Sequence, residues 1–340
     1  MIEIDGTFGE GGGAILRVGT ALSAVTKKSC RIFNIRKSRP RPGLATQHLI
    51  GVQALSQLCD GKLERDFLGS EEINFYPGDI QAKDLHLKID TAGSITLILQ
   101  TLILPSFFAT FPIKIHFDGG ATDTFFSPTI DHFRYVFLKI LEKMGGKVEI
   151  NIEKRGYYPE GGAKVEVKIF PSKIKNINFT ERGSLKNILI VTGASDFLKE
   201  KKVAERQIAG TKEVLGKLKL PTEEKIEYYQ TQSPGSQICL IAEFENTVIG
   251  TDNLGKLGKR AEDVGKEAAL ELLKEERSRA CFDKHLADQI LPFMALVSGT
   301  SQVNVSEITE HCKTNIWVIE KFLEGRFKIK EKIISWIPRV

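Results

Sequence analysis

Hydrophobic and polar positions follow two periods that recur along the chain in one order. Helix-like spacing in "GGGAILRVGTALSAVTK" precedes the strand-like run "CRIFNIRK", a second helix pattern in "TQHLIGVQALSQLCDG", and the strand-like "EINFYPG" and "LHLKID". The order returns from "AGSITLILQTLILPSFF" to "KVEVKIF", and again from "KHLADQILPFMALVSG" to "KIKEKIISWI". This repetition predicts an α/β fold of the α+β type, in which three repeated two-helix/four-strand units form the main domain.

The repetition is interrupted once, between the second and third units. From about residue 182 to residue 280 the composition shifts toward Lys and Glu, and the pattern predicts strand, helix, strand, strand and helix. We therefore predict a smaller α/β domain inserted before the third unit. The expected division is residues 1–181 for the first two repeats, 182–280 for the inserted domain and 281–340 for the third repeat. The charged runs of the insertion are typical of solvent-facing helices.

Composition and charge narrow the class of protein only slightly. The chain has 340 residues, 41% of them hydrophobic, and a formal net charge of +5, so a polyanionic partner is permitted but not required. Its five cysteines are scattered without a CxxC pair, which argues against a zinc site and a disulfide framework and favours a reducing cytoplasm. The N-terminal residues lack the basic and apolar regions of a signal peptide.

One uncharged segment, residues 92–113, is long enough to raise the question of a membrane span. Its polar residues and the central Pro105 fit a buried core helix that ends near the proline better than a spanning helix. We expect no membrane partner.

Glycines surround Glu10 in "GTFGEGGGAILR", directly before a predicted helix that carries Arg17. Glycine lets backbone N–H groups approach an anion, and a helix N-terminus adds partial positive charge, so the pattern is compatible with a phosphate site. It matches neither the Walker pattern nor the dinucleotide fingerprint. A glycine turn required only for close packing explains the spacing equally well.

A second candidate is the loop "NIRKSRPRPGLATQHL", which concentrates four cations beside two prolines. Such crowding is electrostatically unfavourable unless a polyanion neutralises it, and the planar guanidinium group of arginine suits phosphate. The pattern favours RNA or a nucleotide over the alternative of a solvated basic loop. The residues concerned are Arg36, Lys37, Arg39 and Arg41, with Gln47 and His48 opening the next helix.

Two later helices begin with polar residues ahead of an apolar pattern. His285 and Gln289 share one face of the helix in "KHLADQILPFMAL", with Asp288 beside them, although an N-terminal Asp is also an ordinary helix-stabilising residue. His311 begins the helix in "EHCKTNIWVIEKF", where the helix dipole disfavours imidazolium and keeps the ring neutral, as a nucleophile requires. A metal site at His311 and Cys312 lacks a third ligand at usable spacing. A helix-start histidine without a catalytic role is the alternative.

Together, "GEGGGAILR", "RPRPGLATQHL", "TAGSITLILQT", "RGYYPEGGA", "HLADQILPFMAL" and "EHCKTNIWVIEKF" resemble the RNA 3′-terminal phosphate cyclase family in order and spacing, nearly from end to end. The resemblance implies three repeated α/β units with a small inserted domain. It also implies ATP-dependent conversion of an RNA 3′-terminal phosphate to a 2′,3′-cyclic phosphodiester, through covalent histidine-AMP and RNA-(3′)pp(5′)A intermediates.

The resemblance also assigns roles to residues. His311 matches the family's nucleophile, and Glu10 matches a carboxylate near the phosphates and a Mg²⁺ or Mn²⁺ ion. ATP is the expected nucleotide substrate, and RNA with a 3′-phosphate end is the expected partner. The positions matched to ATP binding are Gln100, Pro128, His285, Leu286, Ala287, Asp288 and Gln289. The positions assigned to phosphates or the RNA end are Arg17, Arg36, Arg39, Arg41, Gln47 and His48.

Two other functions are compatible with this pattern. A noncatalytic ribosome-assembly or RNA-binding factor would keep the same fold without the chemistry, but the chain retains His311, Glu10 and Asp288, which favours the enzyme. An enolpyruvyl-type transferase built from related repeats would have no use for the adenylate-site motifs. The sequence therefore favours a cytoplasmic cyclase.

Overall fold

Three four-stranded sheets share one strand order in the computed structural model, which describes residues 1–216 and 221–339. In each, the first strand runs parallel to the second, the second pairs antiparallel with the fourth, and the fourth pairs antiparallel with the third. The α/β fold class predicted from the sequence is confirmed.

The first unit contains a sheet of order β1-β2-β4-β3, and the second a sheet of order β5-β6-β8-β7. The elements of the first are β1 (Ile2–Asp5), α1 (Ala14–Thr26), β2 (Cys30–Phe33), α2 (Thr46–Leu58), β3 (Lys62–Glu64) and β4 (Glu72–Tyr76). Those of the second are β5 (Leu85–Ser94), α3 (Ile95–Ser106), β6 (Ile113–Ala121), α4 (Ile130–His132), a π-helical turn (Phe133–Phe137), α5 (Leu138–Lys143), β7 (Lys147–Lys154) and β8 (Lys164–Phe170).

The chain then forms one short strand and enters the inserted segment. The elements are β9 (Asn178–Phe179), β10 (Leu185–Ser195), a 3₁₀ turn (Asp196–Leu198), α6 (Val203–Leu215), β11 (Thr222–Tyr229), β12 (Ser236–Phe244), β13 (Val248–Leu254) and α7 (Ala261–Arg277). The inserted sheet has the order β11-β10-β12-β13, which differs from that of the repeats. The strand β13 was not predicted from the sequence.

The third unit follows the insertion but takes one strand from before it. Its later elements are α8 (Lys284–Met294), β14 (Ser301–Asn304), α9 (Glu310–Phe322), β15 (Gly325–Lys330) and β16 (Ile333–Pro338). β9 pairs parallel with β14, so the third sheet has the order β15-β16-β14-β9. The inserted segment thus lies between the first strand and the first helix of this unit. The domain boundaries 1–181, 182–280 and 281–340 stay a prediction.

The inserted sheet has one face toward its own helices and the other toward the main domain. Ile188, Ile190 and Leu240 pack with residues of α6 and α7 in a small core. Their neighbours along the strands, including Leu189 and Ile241, belong instead to the large core of the three repeats. Because successive strand residues face opposite sides, one alternating apolar pattern fastens the insertion to the main domain.

The uncharged segment 92–113 forms α3 and its flanks. Ser94 caps the helix by accepting a hydrogen bond from the Leu97 amide, and the helix ends one residue after Pro105. Its residues are buried except for the partly exposed Gln100. Among the described residues, no helix combines the length and apolar character that crossing a membrane would require.

Candidate active site

A cleft of about 650 Å³ lies where the N-terminal ends of α1, α8 and α9 approach α3 and the loop before α2. It contains twelve of the fifteen residues that the sequence proposed for the site, and the other three are Arg41, Leu286 and Ala287. The candidates lining it are Glu10, Arg17, Arg36, Arg39, Gln47, His48, Gln100, Pro128, His285, Asp288, Gln289 and His311. Residues from the first, second and third repeats therefore meet in one cavity.

His311 occupies the first turn of α9 but does not cap it. The cap is Thr309, whose side chain accepts a hydrogen bond from the Cys312 amide at 3.2 Å. The imidazole of His311 is 46% exposed, and its Nε2 lies 2.8 Å from Oε2 of Glu10. Its Nδ1 is enclosed and has no hydrogen-bond partner among the described residues. Nε2 is thus the ring nitrogen engaged with the polar groups of the cleft.

The charge of the His311 ring is decided by its neighbours more than by the helix dipole. Burial lowers the pKa of His311, but the hydrogen bond to Glu10 and the negative charge of Asp288 outweigh burial, so that its pKa is raised above the ordinary value. The neighbouring carboxylates therefore oppose the neutral ring that the sequence led us to expect from the helix terminus. The dipole contributes only about 0.3–1 kcal/mol, which a directly bonded carboxylate exceeds.

The pKa of Glu10 is shifted in the direction opposite to that of His311. Burial favours its neutral form, yet the His311 hydrogen bond and the nearby charges of His311, Arg39 and Arg17 together lower its pKa. One oxygen, Oε2, contacts both His311 and Nη2 of Arg39, the latter at 3.4 Å. The other oxygen, Oε1, is buried and has no partner among the described residues. Glu10 is therefore an ionised carboxylate with one coordination position free.

A chain of hydrogen bonds links α1, α3 and α8 across the cleft. Arg17 Nε donates to Gln100 Oε1 at 3.0 Å, and Gln100 Nε2 donates to Gln289 Oε1 at 3.2 Å. Gln289 in turn donates to the carbonyl oxygen of His285 at 2.7 Å. Burial lowers the pKa of Arg17 to about 10, partly opposed by Asp288 and Glu10, and the guanidinium stays charged at neutral pH. The chain fixes a cation beside the site's carboxylates.

Asp288 lies near His311 and Arg17, as Glu10 does, but its pKa is shifted in the opposite direction. Burial raises its pKa to about 6, with His311 and Arg17 opposing that rise and Glu10 adding to it. Asn315 of α9 donates to the Asp288 carbonyl oxygen at 3.0 Å, which joins α8 to the helix that carries His311. Asp288 therefore titrates close to the pH range in which an enzyme works.

The basic loop contributes two of its three arginines to the cleft. Arg36, with a φ of +52°, donates to the Gly43 carbonyl oxygen at 2.8 Å, and Arg39 pairs with Glu10. Arg41 is exposed and lies outside the cleft lining. The loop therefore directs positive charge inward at two positions and outward at the third.

His48 is buried beneath the loop and acts on the backbone. Its Nδ1 accepts a hydrogen bond from the Ala45 amide at 3.3 Å, ahead of α2. Burial, with the charges of Arg17 and Arg36, lowers its pKa to about 3, so the ring is neutral and Nε2 carries the proton. A Cβ on Gly13 would lie 2.2 Å from this Nε2, which explains why glycine stands there. His48 thus offers the cleft an N–H donor.

Two proposed residues lie elsewhere, and several lining residues were not proposed. Leu286 and Ala287 are fully buried in the main core, on the opposite side of α8 from the cleft. The lining residues that the sequence did not assign to the site include Leu97, Phe125, Phe126, Ser127, His132 and Asp252. The two successive phenylalanines before Pro128 were the feature of the sequence that could have indicated this part of the cleft. Asp252 lies in strand β13, which was not predicted, and no feature of the sequence indicated its place in the cleft.

The donor set of the cleft fits a divalent cation only together with a substrate. No group of three or more metal-ligating side chains occurs within residues 1–216 and 221–339. The unpartnered Oε1 of Glu10 supplies one hard oxygen ligand. Mg²⁺ is commonly held by one or two carboxylates, with substrate phosphates and water completing its shell. The residues present are therefore compatible with a metal ion that binds together with a nucleoside triphosphate.

The chain matches the family described as RNA 3′-terminal phosphate cyclase over residues 8–329. A protein of Pyrococcus abyssi with that name is 43% identical over 334 residues, which cover 98% of this chain and 96% of the relative. Proteins with the same name are 43% identical in Pyrococcus furiosus, covering 97% and 95% of the two chains, and 44% identical in Sulfurisphaera tokodaii, covering 97% and 96%. The resemblance drawn from the motifs is confirmed, and the chain belongs to the RNA 3′-terminal phosphate cyclase family.

Proposed function

We propose that this protein is an ATP-dependent RNA 3′-terminal phosphate cyclase, a ligase that works by nucleotidyl transfer. The observation that carries the proposal is the contact between His311 Nε2 and Glu10 in a cleft that Arg17, Arg36 and Arg39 also line. A nucleophile, a carboxylate and three cations are the groups that attack on a polyphosphate requires. The names of the relatives supply the reaction.

The first step transfers AMP to the enzyme. Nε2 of His311 attacks the α-phosphorus of ATP, a P–N bond forms, and the bond from that phosphorus to the bridging oxygen breaks, so pyrophosphate leaves with the electron pair. The proton on Nε2 must leave the ring before the nitrogen can attack, and Glu10 Oε2 is placed at 2.8 Å to accept it. Arg17 and Arg39 offset the charge that develops on the phosphate oxygens.

The next two steps build and use an activated RNA end. An oxygen of the RNA 3′-phosphate attacks the phosphorus of the adenylate, the P–N bond breaks, and RNA-(3′)pp(5′)A forms while His311 is restored. The 2′-OH then attacks the 3′-phosphorus, loses its proton, and AMP leaves as the 2′,3′-cyclic phosphodiester closes. The ribose holds the 2′-OH beside the phosphorus, so this step needs little orientation by the protein.

In this proposal the base of ATP lies toward His285 of α8, and the phosphates lie toward His311 of α9. Pro128 and His285 both line the cleft and offer flat surfaces for adenine, and Gln100 and Gln289 connect His285 to Arg17 through hydrogen bonds. Glu10 Oε1 would hold Mg²⁺ or Mn²⁺ together with the phosphates. The ion would neutralise phosphate charge. The cytoplasm is the proposed location, and the five buried free cysteines suit a reducing compartment.

The proposal is tested by incubating the protein with ATP labelled at the α-phosphate. We expect covalent label that is labile in acid and stable in base, as a phosphoramidate is, and that RNA with a 3′-phosphate displaces. His311→Asn should abolish the label. His285→Tyr, which keeps an aromatic surface at the base, is the matched control and should retain most of it.

Two outcomes would contradict the proposal. Acid-labile label retained in His311→Asn protein would show that another residue carries AMP. Absence of label from the wild-type protein with either Mg²⁺ or Mn²⁺, combined with RNA binding, would instead support the noncatalytic RNA-binding alternative.

A further inference from the structure

One feature at the mouth of the cleft has no part in the reaction described above. Phe125 and Phe126 line the cleft in the turn between β6 and α4. Phe126 is completely exposed, at 103%, and Phe125 is 37% exposed. Tyr158, 60% exposed, meets Phe125 edge to face with ring centroids 6.1 Å apart. These three residues form what we call the aromatic rim.

The aromatic rim is held outward by a firmly attached turn. At one end, Asp123 is buried and pairs with Arg155 at 3.0 Å. At the other, the Thr129 amide donates to Asp252 of the inserted domain at 2.7 Å. Between these anchors Phe126 adopts a φ of +63°, a conformation that is unfavourable for a bulky side chain. Burial does not explain a strained and fully exposed phenylalanine, so a ligand is the better explanation.

The inserted domain adds a cation to the aromatic rim. The ammonium group of Lys256, which follows β13, lies 5.5 Å from the centroid of the Phe125 ring. Aromatic faces interleaved with a cation are the arrangement that binds single-stranded nucleic acid, because bases stack on the rings and the cation contacts the phosphates. The rim is continuous with the cleft that contains His311, since Phe125 and Phe126 belong to its lining.

We propose that the aromatic rim binds the unpaired bases of the RNA substrate next to its 3′ end, with Lys256 contacting the adjoining phosphate. The inference rests on the proposed function, because it names part of the RNA site. An RNA strand is longer than the cleft and has to cross its mouth, where Phe126 projects into solvent. The base of ATP is assigned instead to Pro128 and His285, which also line the cleft. Stacking accepts every base, so this contact favours unpaired ends without selecting their sequence.

The test measures binding of a fluorescent single-stranded oligoribonucleotide with a 3′-phosphate, and separately the KM for ATP. Phe126→Gly should weaken RNA binding about 5- to 100-fold, in the range for loss of one stacked base. The KM for ATP and labelling from α-labelled ATP should be nearly unchanged. Because glycine accepts the positive φ, this variant should fold at least as stably as the wild type.

Three comparisons make the result specific. Phe126→Trp should keep the RNA affinity, and Phe111→Ala, which removes an exposed aromatic outside the cleft, should not alter it. With an oligonucleotide that lacks its two terminal bases, the wild type and Phe126→Gly should bind equally.

The proposal is overturned if Phe126→Gly raises the KM for ATP and leaves RNA binding unchanged, since the rim would then serve the nucleotide. It is also overturned if the loss of affinity persists with the abasic oligonucleotide. Normal labelling with RNA binding insensitive to Phe126 would refute the rim alone. Loss of histidine-dependent labelling in the wild type would instead refute the proposed function.

Discussion

Glu10 sets both the position and the charge of His311. Its carboxylate accepts the hydrogen bond from Nε2 at 2.8 Å and raises the pKa of the imidazole. A protonated ring cannot attack phosphorus, so the reactive fraction grows as the pH rises through the pKa of the folded protein. The contact that orients the proposed nucleophile therefore also keeps it unreactive until its proton is removed.

Glu10→Gln should move the pH dependence of adenylylation toward lower pH. The amide removes the negative charge that favours imidazolium, so His311 loses its proton at lower pH in the variant. The measurement is the rate of label transfer from α-labelled ATP between pH 5.5 and 9, compared by the position of the inflection and not by its height. An inflection at the same pH in both proteins would contradict the assigned role of Glu10.

Arg39 and Arg41 provide a matched pair for testing the basic loop. Arg39 lines the cleft and contacts Glu10, whereas Arg41 is exposed outside the lining. We expect Arg39→Ala to lower kcat/KM for a 3′-phosphorylated oligonucleotide about 10- to 100-fold, the range for one charge-assisted hydrogen bond. Arg41→Ala should change it less than about 3-fold and lose that effect at high salt. If the two variants lowered kcat/KM equally at low salt and both effects disappeared at high salt, the loop would act only as a diffuse positive surface.

At the scale of residues, motif spacing identified most of the proposed residues that line the cleft but not the orientation of every side chain. The sequence named Arg39 and Arg41 together, because charge density does not reveal which guanidinium turns inward. Leu286 and Ala287 were assigned to the site because they lie within one continuous motif, although α8 directs their side chains into the core. Motif spacing also missed Phe126, since an exposed residue in a turn leaves no periodic signal.

The helix α9 positions His311 through its first turn. Thr309 Oγ1 accepts from the Cys312 amide, which fixes where the helix begins and therefore the direction in which His311 leaves it. On the other side, Gly9 has a φ of +60°, and a Cβ there would lie 2.2 Å from Thr314 Oγ1. The glycine loop thus packs closely enough on α9 to bring Glu10 to the histidine.

Thr309→Ala should loosen this helix start. Loss of a cap costs about 1 kcal/mol, so we expect a lower melting temperature and slower adenylylation. Thr309→Ser, which keeps the accepting hydroxyl, should behave like the wild type. Thermal unfolding and the labelling rate measure the two effects. If alanine and serine gave the same melting temperature and rate, the cap would not position His311.

Elements with a strong period were predictable, and those without one were not. α3 was predicted as a core helix because its apolar residues are continuous and Pro105 limits its length. β9 has two residues, too few to show alternation, so the strand that the third sheet takes from before the insertion could not be predicted. β13 begins with apolar residues but continues through the polar Thr251, Asp252 and Asn253, so it shows no clear alternation of apolar and polar positions.

On the scale of the whole molecule, a buried ionic cluster joins the second repeat to the inserted domain. Arg155 is fully buried and pairs with Asp123 at 3.0 Å, with Asp131 at 2.8 Å and with Glu227 of β11 at 3.2 Å. Gln237 of β12 donates to the other oxygen of Asp131 at 3.2 Å. These contacts hold the turn that carries the aromatic rim against the insertion, so the cluster links domain packing to the shape of the cleft.

Arg155→Met should destabilise the protein most at high pH. Removing one partner of a buried ion pair costs about 3–5 kcal/mol, because the remaining carboxylates stay buried and uncompensated. Burial, partly opposed by Arg155, already raises the pKa of Asp123 to about 6, and the variant should raise it further. Because the folded state then binds more protons than the unfolded state, stability falls as the pH rises through this range and returns as the pH is lowered. Melting temperatures of variant and wild type should therefore differ more at pH 8 than at pH 5. As a control, Lys139→Ala removes an exposed ion pair and should change the melting temperature little at either pH. A pH-independent difference for Arg155→Met would indicate that the arginine acts through packing and not through its charge.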